Sequence, residues 1–103
     1  MEIKTGGTFD KVSVTEADLL AIFENDEARG DFIILGKSDY VFLQAAGEDD
    51  GPYILEYRES EQGDLFHAEG EFTKAEILAD FISYFKGEDG WKTGKAWEAL
   101  DLD

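Results

Sequence analysis

Hydrophobic residues fall at helical spacing in two segments of the chain, and each segment opens with a capping signal. Thr15-Glu16-Ala17-Asp18 begins the first helix, since threonine can accept hydrogen bonds from free amides and acids favour the positive end of the dipole. This helix is expected to end near Ala28. Thr73-Lys74-Ala75-Glu76 begins the second helix, whose apolar stripe predicts that one side packs on a sheet. The stripe consists of Ile77, Leu78, Phe81, Ile82 and Phe85.

Four other segments have the short or alternating apolar runs that are typical of strands. They cover residues 32–35, 40–44, 53–58 and 64–72, separated by turns rich in glycine and acids. The tail from Trp91 to Leu102 fits either a short strand or a helical turn. We therefore predict a single α+β domain over residues 1–103, in which an antiparallel sheet of about four strands packs against two helices in two layers.

Charge is the strongest compositional feature of the chain. Its 25 Asp and Glu against 9 Lys and Arg give a formal net charge of −16, and the acids are spread along the whole sequence. Such a surface repels the phosphates of nucleic acids and anionic lipid headgroups, while it attracts basic proteins. We expect a basic protein partner, and no binding to nucleic acid or membrane.

Motifs that would indicate catalysis or metal binding are incomplete. Gly36-Lys37-Ser38 follows a strand as in a phosphate-binding loop, but Asp31 stands at the position of the required first glycine and no helix follows. With no Cys and only one histidine, His67, the chain lacks the thiolates that complete a typical structural zinc site. Glu48-Asp49-Asp50-Gly51 lacks the alternating ligands of a calcium loop. We predict no catalytic residue, no metal and no cofactor; a small enzyme would instead need a deep pocket, for which His67 is the candidate neighbour.

Two tryptophans lie in the glycine-rich tail, beside lysines and acids. Trp91 and Trp97 could anchor a protein interface, because tryptophans rimmed by charge often do so. In a domain this small, such tryptophans more often close the end of the core. Both interpretations stay open at this point.

The C-terminal half resembles a known class of proteins. The resemblance lies in Tyr53-Ile54-Leu55-Glu56-Tyr57-Arg58 and in the stretch from Ile77 through Gly87-Glu88-Asp89-Gly90-Trp91 to Ala96-Trp97-Glu98. These segments resemble small acidic bacterial α+β proteins that are similar to the immunity proteins encoded beside polymorphic toxins. The resemblance implies a non-enzymatic binder that neutralises a cognate toxin, and it supplies no contact residues.

These observations favour a non-enzymatic protein-binding module of the immunity or inhibitor class. We expect it to be cytoplasmic, since no basic start precedes an apolar run and no segment reaches the roughly 20 apolar residues that span a bilayer. The alternatives are an acidic globular domain without a tight partner and a DNA mimic that competes for a nucleic-acid-binding protein. The predicted partner-binding residues lie in two acidic loops and the tail: Glu48, Asp49, Asp50, Glu59, Glu61, Asp64, Glu88, Asp89 and Trp91.

Overall fold

Seven strands form one antiparallel sheet in the computed structural model, which describes residues 1–7, 9–48 and 51–100. The sheet has the spatial order β2-β1-β3-β4-β5-β6-β7. Its strands are β1 (Glu2–Thr5), β2 (Asp10–Lys11), β3 (Phe32–Ser38), β4 (Val41–Ala46), β5 (Ile54–Arg58), β6 (Leu65–Ala68) and β7 (Trp97–Leu100). The helices within the described ranges are α1 (Glu16–Glu24), α2 (Asp26–Arg29) and α3 (Lys74–Phe85).

The chain is α+β, but the prediction of about four strands packed against two helices is wrong. Three short strands were not predicted as part of the sheet, because hardly any of their residues are fully buried. Ile3 is the one fully buried residue of β1, and β2 and β7 contain none. Pairing with neighbouring strands, rather than an apolar pattern, adds them to the sheet edges.

The first predicted helix divides into two at Asn25. Asn25 ends α1 in an extended conformation. The same residue is the N-cap of α2, because its side-chain Oδ1 accepts a hydrogen bond from the Ala28 amide. Asparagine is a strong helix N-cap, so a single residue can both stop one helix and start another. The predicted fourth strand likewise ends early, at Ala68, before Gly70 takes a positive φ of 92°.

One face of the sheet is buried because the strand register aligns its apolar positions. Ile3 pairs with Leu35, Leu35 with Leu43, and Leu43 with Tyr57, and all four are at most 5% exposed. Helices α1 and α3 cover this face. They also contact each other, with the rings of Phe23 on α1 and Phe81 on α3 5.7 Å apart edge to face.

Both long helices begin at the predicted capping boxes. Thr15 Oγ1 accepts from the Asp18 amide while Asp18 Oδ2 accepts from the Thr15 amide, and Thr73 and Glu76 repeat this exchange at α3. A hydrogen bond from Lys11, followed by those from Thr15, lowers the pKa of Asp18, and the hydrogen bonds from Thr73 lower the pKa of Glu76. The local sequence therefore determines where each covering helix starts.

Several loops meet at one end of the sheet. Strand β3 ends and β4 begins there, joined by the turn that carries Asp39 and Tyr40, and β5 ends where β6 begins. The C-terminal end of α3 lies at the same place, since Lys37 Nζ is 5.4 Å from the centre of the Tyr84 ring. We call residues 37–41, 59–64 and 87–91 the turn end.

Gly30 connects α2 to β3 at a point where its backbone lies close to the backbone of Gly6 and Gly7. Its φ is +65°, and a Cβ placed there would lie 2.5 Å from the Gly6 carbonyl carbon. By contrast, Gly94 has a φ of +77°, but a Cβ there would meet no atom within 4 Å. An alanine at Gly94 would therefore meet only the strain of a positive φ, whereas an alanine at Gly30 would also clash with neighbouring backbone atoms.

We predict that Gly30→Ala destabilises the fold by about 3 kcal/mol or more, because strain and overpacking add. Gly94→Ala is expected to cost about 1–2 kcal/mol from its left-handed conformation alone. Urea unfolding followed by tryptophan fluorescence measures both free energies. An equal loss of unfolding free energy in the two variants would contradict the close backbone contact at Gly30.

Candidate binding site at the turn end of the sheet

The predicted partner-binding residues fall into three groups in the structure. The first group lines one cavity of about 290 Å³ at the turn end, and it consists of Glu59, Glu88, Asp89 and Trp91. Glu61 and Asp64 are exposed on the adjacent β5–β6 turn. Glu48 lies at the opposite end of the sheet, where it lines a separate cavity with Asp26 and Asp31. Asp49 and Asp50 lie outside the described residues.

The cavity wall is built where the chain folds back after α3. The Glu88 amide donates to the Ser83 carbonyl over 3.0 Å, and the Trp91 amide donates to Ser83 Oγ over 3.1 Å. The ring of Trp91 is 7% exposed and makes edge contacts with Tyr57 and Tyr84, with centroids 5.0 and 5.2 Å apart. Trp91 therefore closes the end of the core, and its side chain also forms part of the cavity.

A buried ion pair attaches this returning segment to α3. Lys95 Nζ donates to Asp80 Oδ1 over 3.0 Å and to the Trp91 carbonyl over 2.8 Å, and both charged side chains are 11% exposed. Burial raises the pKa of Asp80, while Lys95 acts in the opposite direction. Sequence reasoning missed this pair, although Asp80 interrupts the buried side of α3 between Ile77 and Tyr84 and could have indicated it.

Two lysines of the chain already lie beside the cavity. Lys92 Nζ is 2.7 Å from Glu59 Oε1 and 5.1 Å from the centre of the Tyr57 ring. The hydrogen bond from Lys92 to Glu59 is the main reason why the pKa of Lys92 is raised. Lys37 lies over the ring of Tyr84. Glu88 and Asp89 are exposed and have no cationic partner within the described part of the chain.

Tyr84 contributes an unpaired hydroxyl to this site. The residue lines the cavity and is 5% exposed, and its hydroxyl oxygen has no hydrogen-bond partner among the residues described. Burial, and secondarily the charge of Glu59, raises the pKa of Tyr84 to about 12, so the hydroxyl keeps its proton at neutral pH. Buried polar groups normally find partners, and an exception in a cavity wall calls for an explanation.

The uncovered face of the sheet is a second exposed surface. Phe32 and Ile54 are 38% and 37% exposed there. At its centre Glu56 accepts from Gln44 Nε2 over 2.8 Å and lies 3.0 Å from His67 Nδ1, because the β5–β6 register places Glu56 opposite His67. The side chains of Gln44, Glu56 and His67 thus bond to one another. At the turn end, by contrast, the Glu88 and Asp89 carboxylates have no cationic partner and the Tyr84 hydroxyl has no hydrogen-bond partner among the described residues. The turn end is therefore the candidate site.

No family model, curated protein or solved structure matches the chain. The resemblance to immunity proteins thus stays a prediction. None of the helices in the described ranges is long and apolar enough to cross a membrane. Across those same ranges, no three His, Asp or Glu side chains form a group that could hold a metal ion.

We predict that Lys95→Met destabilises the protein by about 3 kcal/mol at neutral pH, because it leaves Asp80 buried and unpaired. The variant loses the one contact that lowers the pKa of Asp80, so this pKa rises further and the folded variant binds a proton more readily than the unfolded chain. Ionisation then destabilises the variant as the pH rises. The loss relative to wild type is therefore expected to shrink when unfolding is repeated at about pH 4.

Lys86→Met is the matched control, since Lys86 pairs with Glu16 over 3.1 Å with both side chains about half exposed. Such surface pairs contribute about 1 kcal/mol or less. A Lys95→Met loss as small as that of the control, or one independent of pH, would contradict the role given to the buried pair.

Proposed function

We propose that this chain is a non-enzymatic module that binds a basic protein through its turn end, in the manner of an immunity or inhibitor protein. The proposal places its action in the cytoplasm and excludes nucleic acid as the ligand. The observation that carries it is the set of exposed carboxylates at the turn end that no cation of the described chain neutralises.

Most cations of the chain already contact carboxylates or aromatic rings of the described structure. Within the described residues, six of the nine Lys and Arg form an ion pair with a carboxylate, whereas the chain carries 25 Asp and Glu. At the turn end, Lys37 lies on the Tyr84 ring and Arg58 lies over the Tyr40 ring with 5.2 Å to its centre. Lys92 binds Glu59. A basic protein would supply the missing positive charge and would be steered towards this surface.

The turn that carries Glu61 and Asp64 is held by internal hydrogen bonds. Arg58 Nε donates to the Ser60 carbonyl over 3.1 Å and Arg58 Nη2 donates to the Glu61 carbonyl over 2.6 Å. The Gly63 amide also donates to the Ser60 carbonyl. A turn that is ordered before binding loses less entropy when a partner docks, so its carboxylates can contribute more to affinity.

An exposed aromatic residue accompanies these charges. Tyr40 is 43% exposed in the β3–β4 turn, and one side of its ring contacts the Arg58 guanidinium. Interface hot spots are enriched in tyrosine and arginine. The turn end therefore combines unneutralised charge with an aromatic anchor, which fits a protein partner better than a small ion.

We predict that Glu61→Lys/Asp64→Lys abolishes capture of the partner. The measurement is affinity capture from a lysate of the cells that encode the protein, at low and high salt, followed by mass spectrometry. Glu24→Lys/Glu69→Lys is the matched control, because it changes the net charge equally at exposed positions away from the turn end. Wild type and control should retain the same basic protein at low salt and release it at high salt.

The outcomes separate local from overall charge. If both variants lose the protein equally, net charge rather than the turn end determines binding. If wild type retains no basic protein under any condition, the chain is an acidic domain without a tight partner. If the retained protein is displaced by added DNA and the turn-end variant still binds it, the DNA-mimic alternative replaces this proposal.

A further inference from the structure

The turn-end cavity has one negative charge more than its neighbouring cations balance. Its walls include the carboxylates Glu59, Glu88 and Asp89. The ammonium groups nearby are those of Lys37 over Tyr84 and Lys92 on Glu59. A site with three carboxylates and two ammonium groups favours one further cation by direct charge attraction.

The Tyr84 hydroxyl provides a second reason to expect a ligand, independent of the acids. Its oxygen is buried without a partner in the described structure, in a residue that lines the cavity. A buried hydroxyl without a hydrogen-bond partner is less favourable than a paired one, because it has lost its bonds to water and gained none in the protein. An N–H donor that entered the cavity could bond to this oxygen and remove the cost.

The size and walls of the cavity favour a side chain over a larger molecule. Its volume of about 290 Å³ is at the lower limit of small-molecule sites, which span roughly 300–1,000 Å³. Tyr84 and Trp91 supply aromatic surface, and cations bind to such rings as well as to carboxylates. Lys37 and Lys92 already demonstrate this, since each lies over a ring at this site.

We infer that the cavity binds the cationic head of a lysine or arginine side chain presented by the partner. The head group donates to the Tyr84 hydroxyl oxygen, while Glu88 and Asp89 balance its charge. Lys37, whose side chain is exposed, moves off the Tyr84 ring to admit it. This inference rests on the proposed function, because it names the group of the basic partner that the turn end recognises.

The test is an NMR titration of the intact chain with Nα-acetyl-lysine methylamide. Nα-acetyl-norleucine methylamide, which lacks the charge, is the matched probe. We expect saturable shifts of the Gly87, Glu88 and Asp89 amides with the lysine probe only. The amides of Glu24 and Glu69 report non-specific association with the acidic surface. Shifts of equal size at those two positions would overturn the inference.

Three variants sharpen this test. Tyr84→Phe should weaken the lysine probe about tenfold, the loss expected for one hydrogen bond to a charged group. Lys37→Met should bind it more tightly, because a competing ammonium is removed. Glu69→Gln should leave binding unchanged. Unchanged affinity in Tyr84→Phe, or weaker binding in Lys37→Met, would overturn the inference.

Stability measurements keep the tyrosine variant interpretable. Tyr84→Phe removes a hydroxyl that has no partner in the free protein, so its free energy of unfolding should be equal to or above that of wild type. If Tyr84→Phe unfolds, the double variant Glu88→Gln/Asp89→Asn, at exposed positions, replaces it. This variant should also bind the lysine probe about tenfold more weakly, and unchanged affinity would overturn the inference. If Tyr84→Phe captures the partner with the same salt dependence as wild type, the cavity is not the site that binds the partner's cationic side chain. The proposed function would be unaffected by that result.

Discussion

The constraint on which this structure depends is that nine cations must stabilise a chain with 25 carboxylates. Two of these cations lie inside the fold. Arg29 is fully buried and donates to the Ile22 and Phe23 carbonyls, which joins α2 to the end of α1. Lys95 connects Asp80 on α3 to the Trp91 carbonyl. Positive charge used in this way inside the fold is not available to neutralise the surface.

The exposed negative charge of the turn end follows from where the cations are bound. The Asp80–Lys95 pair and the Ser83 hydrogen bonds hold the segment after α3 against the core, and that segment carries Glu88 and Asp89. Arg58 orders the β5–β6 turn through backbone carbonyls, so the acidic side chains of that turn are left without its charge. The same contacts that stabilise the loops therefore leave their carboxylates facing solvent, in a geometry set before any partner arrives.

Local signals predicted part of the fold and long-range contacts determined the rest. The capping boxes at Thr15 and Thr73 depend on neighbours three residues away, and both helices begin where these residues predict. Strands β1, β2 and β7 have too few buried positions to be recognised alone, since their place in the sheet comes from pairing with distant segments. The convergence of Glu59 with Glu88 and Asp89 depends equally on tertiary contacts. Composition could only indicate that these acids were available, and it gave no sign of the unpaired Tyr84 hydroxyl beside them.

We propose that a basic protein binds to the turn end and not to the uncovered sheet face. Hydrogen–deuterium exchange of the complex with its captured partner tests this most directly, because it compares both surfaces in one measurement. We expect slower exchange in residues 59–64 and 87–91 on complex formation, with little change at Phe32 and Ile54. Slower exchange confined to strands β3 to β5, with residues 59–64 and 87–91 unchanged, would contradict it.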